Sequence, residues 1–161
     1  MLSLSKITNK IDSQTRELVT KLAALQPIEI LPTEKAGIGW NRLGDKVESK
    51  QHNVELKCME GQTVLKSITS HIGRDQQLLG GPTWTFTFDK DGSLKTAQYN
   101  YQAISLDGNR TASKEVRQAG DGISPFSKLR ALAALSKLYA SELLRRGGEV
   151  PDLREATLPS V

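Results

Sequence analysis

The chain of 161 residues contains one cysteine, so no internal disulfide can form, and a reducing compartment is expected. Histidine is scarce as well. With only His52, His71 and Cys58 as soft ligands, a zinc site would need the fold to gather all three plus a carboxylate, so no metal is expected. If His52 and Cys58 share a straight strand, six residues at roughly 3.3 Å each hold them about 20 Å apart. No window approaches 18 consecutive apolar residues, and Met1-Leu2-Ser3-Leu4-Ser5-Lys6 lacks the unbroken apolar stretch of a secretory signal. No membrane partner is expected, and the cytoplasm is the expected location. The glycine pairs at 80–81 and 147–148 are not followed by the Lys-Ser/Thr of a phosphate loop. No catalytic motif and no cofactor fingerprint stands out, and neither an internal repeat nor a low-complexity linker is present.

What is there suits a globular chain with 37% hydrophobic and 25% charged residues, which excludes an acidic disordered tail and a collagen-like repeat. The length fits one domain, expected over 1–148, with 149–161, which carries two prolines and little periodicity, as a C-terminal tail. The net charge is +4, and its excess sits near the ends. The 125–146 segment carries Lys128, Arg130, Lys137, Arg145 and Arg146 against Glu142 alone. A basic helix of that kind either tracks phosphates or presents long cations to water, with its last arginines suiting the helix dipole.

Leu4, Ile7, Ile11, Leu18, Leu22 and Leu25 recur at three- and four-residue spacing, which predicts an amphipathic helix capped by Ser3 or Ser5 and stopped by Pro27. Ile28 to Leu31 is a short apolar run closed by Pro32. Ala36 to Leu43 reads as a strand whose Gly37 and Gly39 suggest a bulge or an edge. Val54, Leu56 and Cys58 alternate with Glu55, Lys57 and Met59, predicting a half-buried strand over 46–60 with Cys58 packed inside and a turn at Gly61-Gln62. Thr63 to Ile72 fits either a helix or a strand and is read as a strand. After a polar loop over 73–81, Thr83-Trp84-Thr85-Phe86-Thr87-Phe88 alternates aromatic and threonine without a break. Asp89-Lys90-Asp91-Gly92 is its turn and Leu94 to Ile104 its partner, with a further turn at Asp107-Gly108-Asn109 and an edge strand over 110–117. Ser124-Pro125 then places an N-cap and a first-turn proline, so a long helix starts there. Its face is Phe126, Leu129, Leu132, Ala133, Leu135, Leu138, Tyr139 and Leu143, and it ends at Gly147-Gly148. The expected fold is α+β: an antiparallel β-meander of about five to six strands, flanked by an N-terminal and a long C-terminal helix.

Asp89 and Asp91 are a tempting carboxylate pair, but flanking Lys90 before Gly92 they are what a tight turn asks for. Tyr99 and Tyr101 share one face of their strand. A two- or four-residue hairpin loop puts that face with Trp84, Phe86 and Phe88 in the core, whereas a three-residue loop puts it with the threonines as an exposed platform. Trp40, between glycine and Asn41-Arg42, is either a packing residue or an edge anchor. Because Trp, Tyr and Arg dominate binding hot spots, Trp40, Arg42, Tyr99, Tyr101 and Arg110 are the candidate partner-binding residues.

The stretch from Trp84 to Tyr101, with its tryptophan-led strand, Asp-x-Asp-Gly turn and Tyr-x-Tyr return, resembles the hairpin of the YezG-like immunity proteins of bacterial polymorphic toxin systems. That resemblance implies a small cytoplasmic α+β protein with a helix before the meander and one after it. It implies inhibition of a cognate toxin domain by tight binding, without catalysis or cofactor. The basic balance of this chain would suit an acidic toxin better than a nuclease. Two other classes stand beside it: a ligand-binding domain or small enzyme with a pocket between sheet and helices, and a nucleic-acid binder using the 125–146 helix.

Overall fold

The computed structural model describes residues 3–25, 28, 32–105, 110–118 (backbone only) and 122–147. The helix α1 spans Leu4–Ala24, with the Ser3 side chain accepting the Lys6 N–H at its start. Six strands follow, β1 (Thr33–Trp40), β2 (Lys46–Met59), β3 (Gln62–Ile72), β4 (Gly80–Phe88), β5 (Leu94–Ile104) and β6 (Arg110–Gln118), and then α2 (Pro125–Arg145). The strands pair antiparallel in sequence order, so each hairpin lays the next strand beside the last.

Both helices pack on one face of this sheet. Leu56, Leu65, Phe86, Phe88 and Ala97 from the strands meet Ile11, Leu18, Val19 and Leu22 of α1 and Ala131, Leu132, Ala134, Leu135 and Leu138 of α2. The helices run parallel and side by side, because contacts between them advance in step. Lys128 donates to Asp12 at 3.1 Å, Lys21 lies over the Tyr139 ring, and Arg146 donates to the carbonyl of Leu25. Glu142, buried at the end of α2, is held between Arg145 and Arg146. Hydrogen bonding from Arg145, followed by Arg146, keeps its carboxyl below the usual range against the opposing cost of burial. Leu135 is fully buried in the shared core. Leu135→Ala should therefore lower unfolding stability by about 2–5 kcal/mol in a denaturant titration, and a change below about 1 kcal/mol would mean that α2 is peripheral.

Several expectations need correction. Cys58 is exposed, not packed, because it is the last inward position before the hairpin turn, beyond the reach of the core at Leu56. The turn itself is Glu60-Gly61, both at positive φ, one residue earlier than expected. β1 runs from Thr33 and stops at Trp40 rather than reaching Leu43, although its edge position and its irregularity between Ala36 and Gly39 match the glycine reading. β4 begins at Gly80, inside the segment read as loop, and Leu79 just before it is fully buried. On α2, Phe126, Leu129 and Ala133 are exposed, since the buried stripe is the narrower one through Ala131, Leu135 and Leu138, where α1 and the sheet meet. The expected turn at 107–109, most of the 28–31 run, the Pro27 stop and the 149–161 tail lie outside the described residues.

Candidate partner interface

Alternation along β4 and β5 puts Trp84, Phe86 and Phe88 on the helix-side face, and the register decides what joins them. Trp84 pairs directly with Tyr99 and Pro82 with Tyr101, so both tyrosines take the aromatic face rather than the threonine one. The rings of Trp84 and Tyr99 meet at 4.9 Å with a 52° tilt, and Trp84 stacks on Phe86 at 5.7 Å. Phe86 is fully buried, whereas Trp84 and Tyr99 are half-buried because α2 crosses above them with its first turns only. The Ser124 cap and Pro125 start α2 beside this row, and the i to i+4 spacing of the helix brings Phe126 and Arg130 together over it. The Arg130 guanidinium lies 5.0 Å from the Trp84 ring and 5.1 Å from that of Phe126. Between α2 and the sheet a groove of 610 Å³ is lined by Trp84, Tyr99, Phe126 and Ser127, with Phe126 63% exposed.

A second arginine covers the other end of the row. After β1 the chain is pinned by Asn41, whose side-chain oxygen accepts the N–H groups of Leu43 and Asp45 at 3.0 and 2.9 Å. Its amide donates to the carbonyl of Ile104 on β5 at 3.3 Å. That loop places the Arg42 guanidinium 3.9 Å from the centre of the Tyr101 ring. Trp40, two positions earlier, is 72% exposed.

Of the five candidate residues, Trp40 at the end of β1 and Arg42 in the loop after it are surface groups, and Tyr99 is half-buried. Tyr101 requires correction as a free anchor, because at 8% exposure it is a packed residue that serves as the seat for Arg42. Arg110 opens β6 opposite Ile104, and its side chain lies outside the described residues. Sequence reasoning missed Trp84 and Phe126 as surface groups, having placed both in the core, and it read Arg130 as one of the helix's water- or phosphate-facing cations rather than as part of an aromatic cluster. The four-residue spacing of Phe126 and Arg130 on a capped helix was the available signal.

The titratable groups offer less. His52 lies between the hydroxyls of Ser67 and Thr69, at 3.2 Å from its Nε2 and 3.3 Å from its Nδ1. This serine neighbour comes from the facing strand β3 and was invisible in the sequence. With threonine at the second nitrogen there is no carboxylate to orient the ring as in a hydrolytic triad. Burial, then the positive charges of Lys137, Arg130 and Lys50, push the His52 imidazole below its ordinary pKa. Asp91 accepts from the N–H and hydroxyl of Ser93 at 3.0 and 2.9 Å, so it closes the β4–β5 turn. Among the described residues no group of three His, Cys, Asp or Glu side chains is placed to hold a metal ion, and no helix is long and apolar enough to cross a membrane. In comparisons with known proteins, the chain matches no family model, no curated protein and no solved structure.

Proposed function

We propose that the protein is an immunity protein, which binds a cognate bacterial toxin effector domain and neutralises it by occluding its working surface. The observation that carries this reading is the aromatic row Trp84–Tyr99–Tyr101 seated beneath Arg130 and Arg42, with Phe126 exposed beside Arg130 and Trp40 exposed two positions before Arg42. Trp, Tyr and Arg are the residue types that contribute most at protein interfaces, and here the arginines are held in place before any partner arrives. The exposed cations on this face favour an acidic toxin surface. The resemblance of the 84–101 hairpin to YezG-like immunity proteins supports the same reading.

The cations of α2 weigh against phosphate tracking as the alternative. Lys128 is paired with Asp12, Arg130 lies over two rings, and Arg145 and Arg146 clamp Glu142, so Lys137 is the cation of this helix that no described residue engages.

Stoichiometry tests the proposal. When the toxin encoded beside this gene is titrated with the protein, its activity should fall linearly and vanish at one molar equivalent. Protection at far below one equivalent would show turnover and overturn occlusion as the mechanism, and full toxin activity in excess protein would overturn the immunity reading.

A further inference from the structure

A second concavity, of 520 Å³, opens between β1, β2 and α2, apart from the aromatic row. Lys35, Lys50 and Lys137 line it together with His52, Val54 and Leu138. Lys35 and Lys50 face each other directly across the β1–β2 ladder, an arrangement of like charges that weakens a strand pair. Lys137 comes down on the same side from α2, and no carboxylate among the described residues lies within ion-pair distance of any of the three lysines. Glu34 reaches the rim, but it alternates to the opposite side of β1 from Lys35. The floor is apolar, with Val54 half-buried and Leu138 buried. Three lysines without a partner among the described residues line one concavity with an apolar floor, so an anion that enters meets a positive field and an apolar surface together, and the volume is that of a small-molecule pocket.

We propose that this cavity binds a small organic anion, its phosphate or carboxylate among Lys35, Lys50 and Lys137 and its apolar body against Val54 and Leu138. His52 does not ligate the anion, because both of its nitrogens are engaged by Ser67 and Thr69. It is a sensor of the bound charge instead. The groups facing it are Lys50 on its own strand, Ser67 and Thr69 on β3, Thr33 and Lys35 on β1, and Arg130 and Lys137 on α2. These cations disfavour the imidazolium, so an anion that neutralises them raises the imidazole pKa, and for an anion whose own charge is constant the affinity rises as the pH falls.

Phenyl phosphate, inorganic phosphate and phenol are the probes, added to the whole chain while amide and imidazole resonances are followed by NMR. Phenyl phosphate should bind saturably, shift the resonances of Lys50, His52 and Leu138, and move the His52 titration upward. Inorganic phosphate should bind about tenfold or more weakly for want of the apolar contact, and phenol should not saturate. Lys50→Gln and Lys137→Gln, with circular dichroism showing each folded, should each weaken phenyl phosphate about tenfold. Unchanged affinity in both variants, no saturable shift, or a His52 titration unmoved by the bound anion would overturn the site. If the lysine variants instead leave phenyl phosphate unaffected and lose only toxin binding, the cavity receives an acidic side chain of the partner, which also overturns the small-molecule assignment. No toxin is needed for the primary measurement, so its failure leaves the immunity proposal standing.

Discussion

Gly81→Ala is expected to abolish folding or to lower stability by more than about 4 kcal/mol, with Gly80→Ala close behind. A Cβ at Gly81 would lie 2.0 Å from the carbonyl oxygen of Thr69 on β3, and one at Gly80 would lie 2.0 Å from that of Gln102 on β5. Both obstacles are backbone atoms of the strands flanking β4, and moving either breaks the ladder that holds it. Both glycines also sit at positive φ, +84° at Gly80 and +139° at Gly81, where an L side chain is strained whatever the space around it. The pair lets β4 start in close contact with both neighbours, and it thereby brings Pro82 and Trp84 opposite Tyr101 and Tyr99. Gly37→Ala is the control: its φ is +71° but nothing lies within 4 Å of the added carbon, so it should cost only the conformational strain of about 1–2 kcal/mol. Denaturant unfolding of the two variants separates the steric effect from the dihedral one. A Gly81→Ala protein as stable as Gly37→Ala would mean that β4 enters the sheet along another path.

Where local chemistry and global packing agree, the fold was legible in the chain. The unbroken alternation from Thr83 to Phe88 and the Asp-Lys-Asp-Gly turn define a hairpin because strand propensity and turn geometry demand the same thing. Ser124-Pro125 opens α2 for the same reason. The failures are places where a tertiary neighbour decides. Gly80 and Gly81 read as loop, since only the approach of two other strands makes them strand residues. Phe126 read as core because an apolar residue in helical phase is indistinguishable from one whose turn overhangs the sheet. Glu142 is buried while Arg145 and Arg146 stay exposed, and their i+3 and i+4 spacing announces the ion pairs but not that α2 turns the carboxylate inward. Of the candidate interface, Trp40, Arg42 and Tyr99 were named from residue type alone. The stacking of Arg42 on Tyr101 and the cluster around Arg130 depend on a hydrogen bond from Asn41 to Ile104, 63 positions apart, and on a helix that packs across the sheet.

Trp40→Ala and Arg42→Ala should each weaken toxin binding by about 30- to 1000-fold, which corresponds to roughly 2–4 kcal/mol at a hot spot. The same substitutions should change unfolding stability by no more than about 0.5 kcal/mol for Trp40, whose indole is 72% exposed, and by about 1 kcal/mol for Arg42, which loses its contact with the Tyr101 ring. That divergence between binding and stability is the signature of an interface residue, and a core residue cannot show it. Tyr101→Ala makes the contrast. It removes both the seat of Arg42 and a packed ring, so its loss of binding should come with a loss of stability. Arg42→Glu should go further than Arg42→Ala, because an acidic partner surface would then meet a like charge, slowing association most at low ionic strength. Titration calorimetry against the toxin domain at two salt concentrations, paired with denaturant unfolding of each variant, reads both quantities. Full affinity in folded Trp40→Ala and Arg42→Ala proteins, together with an intact response in Arg130→Glu, would place the contact surface elsewhere on the molecule. The threonine-bearing face of the sheet, through Thr83, Thr85 and Thr87, on which no helix packs among the described residues, would then be the next surface to test.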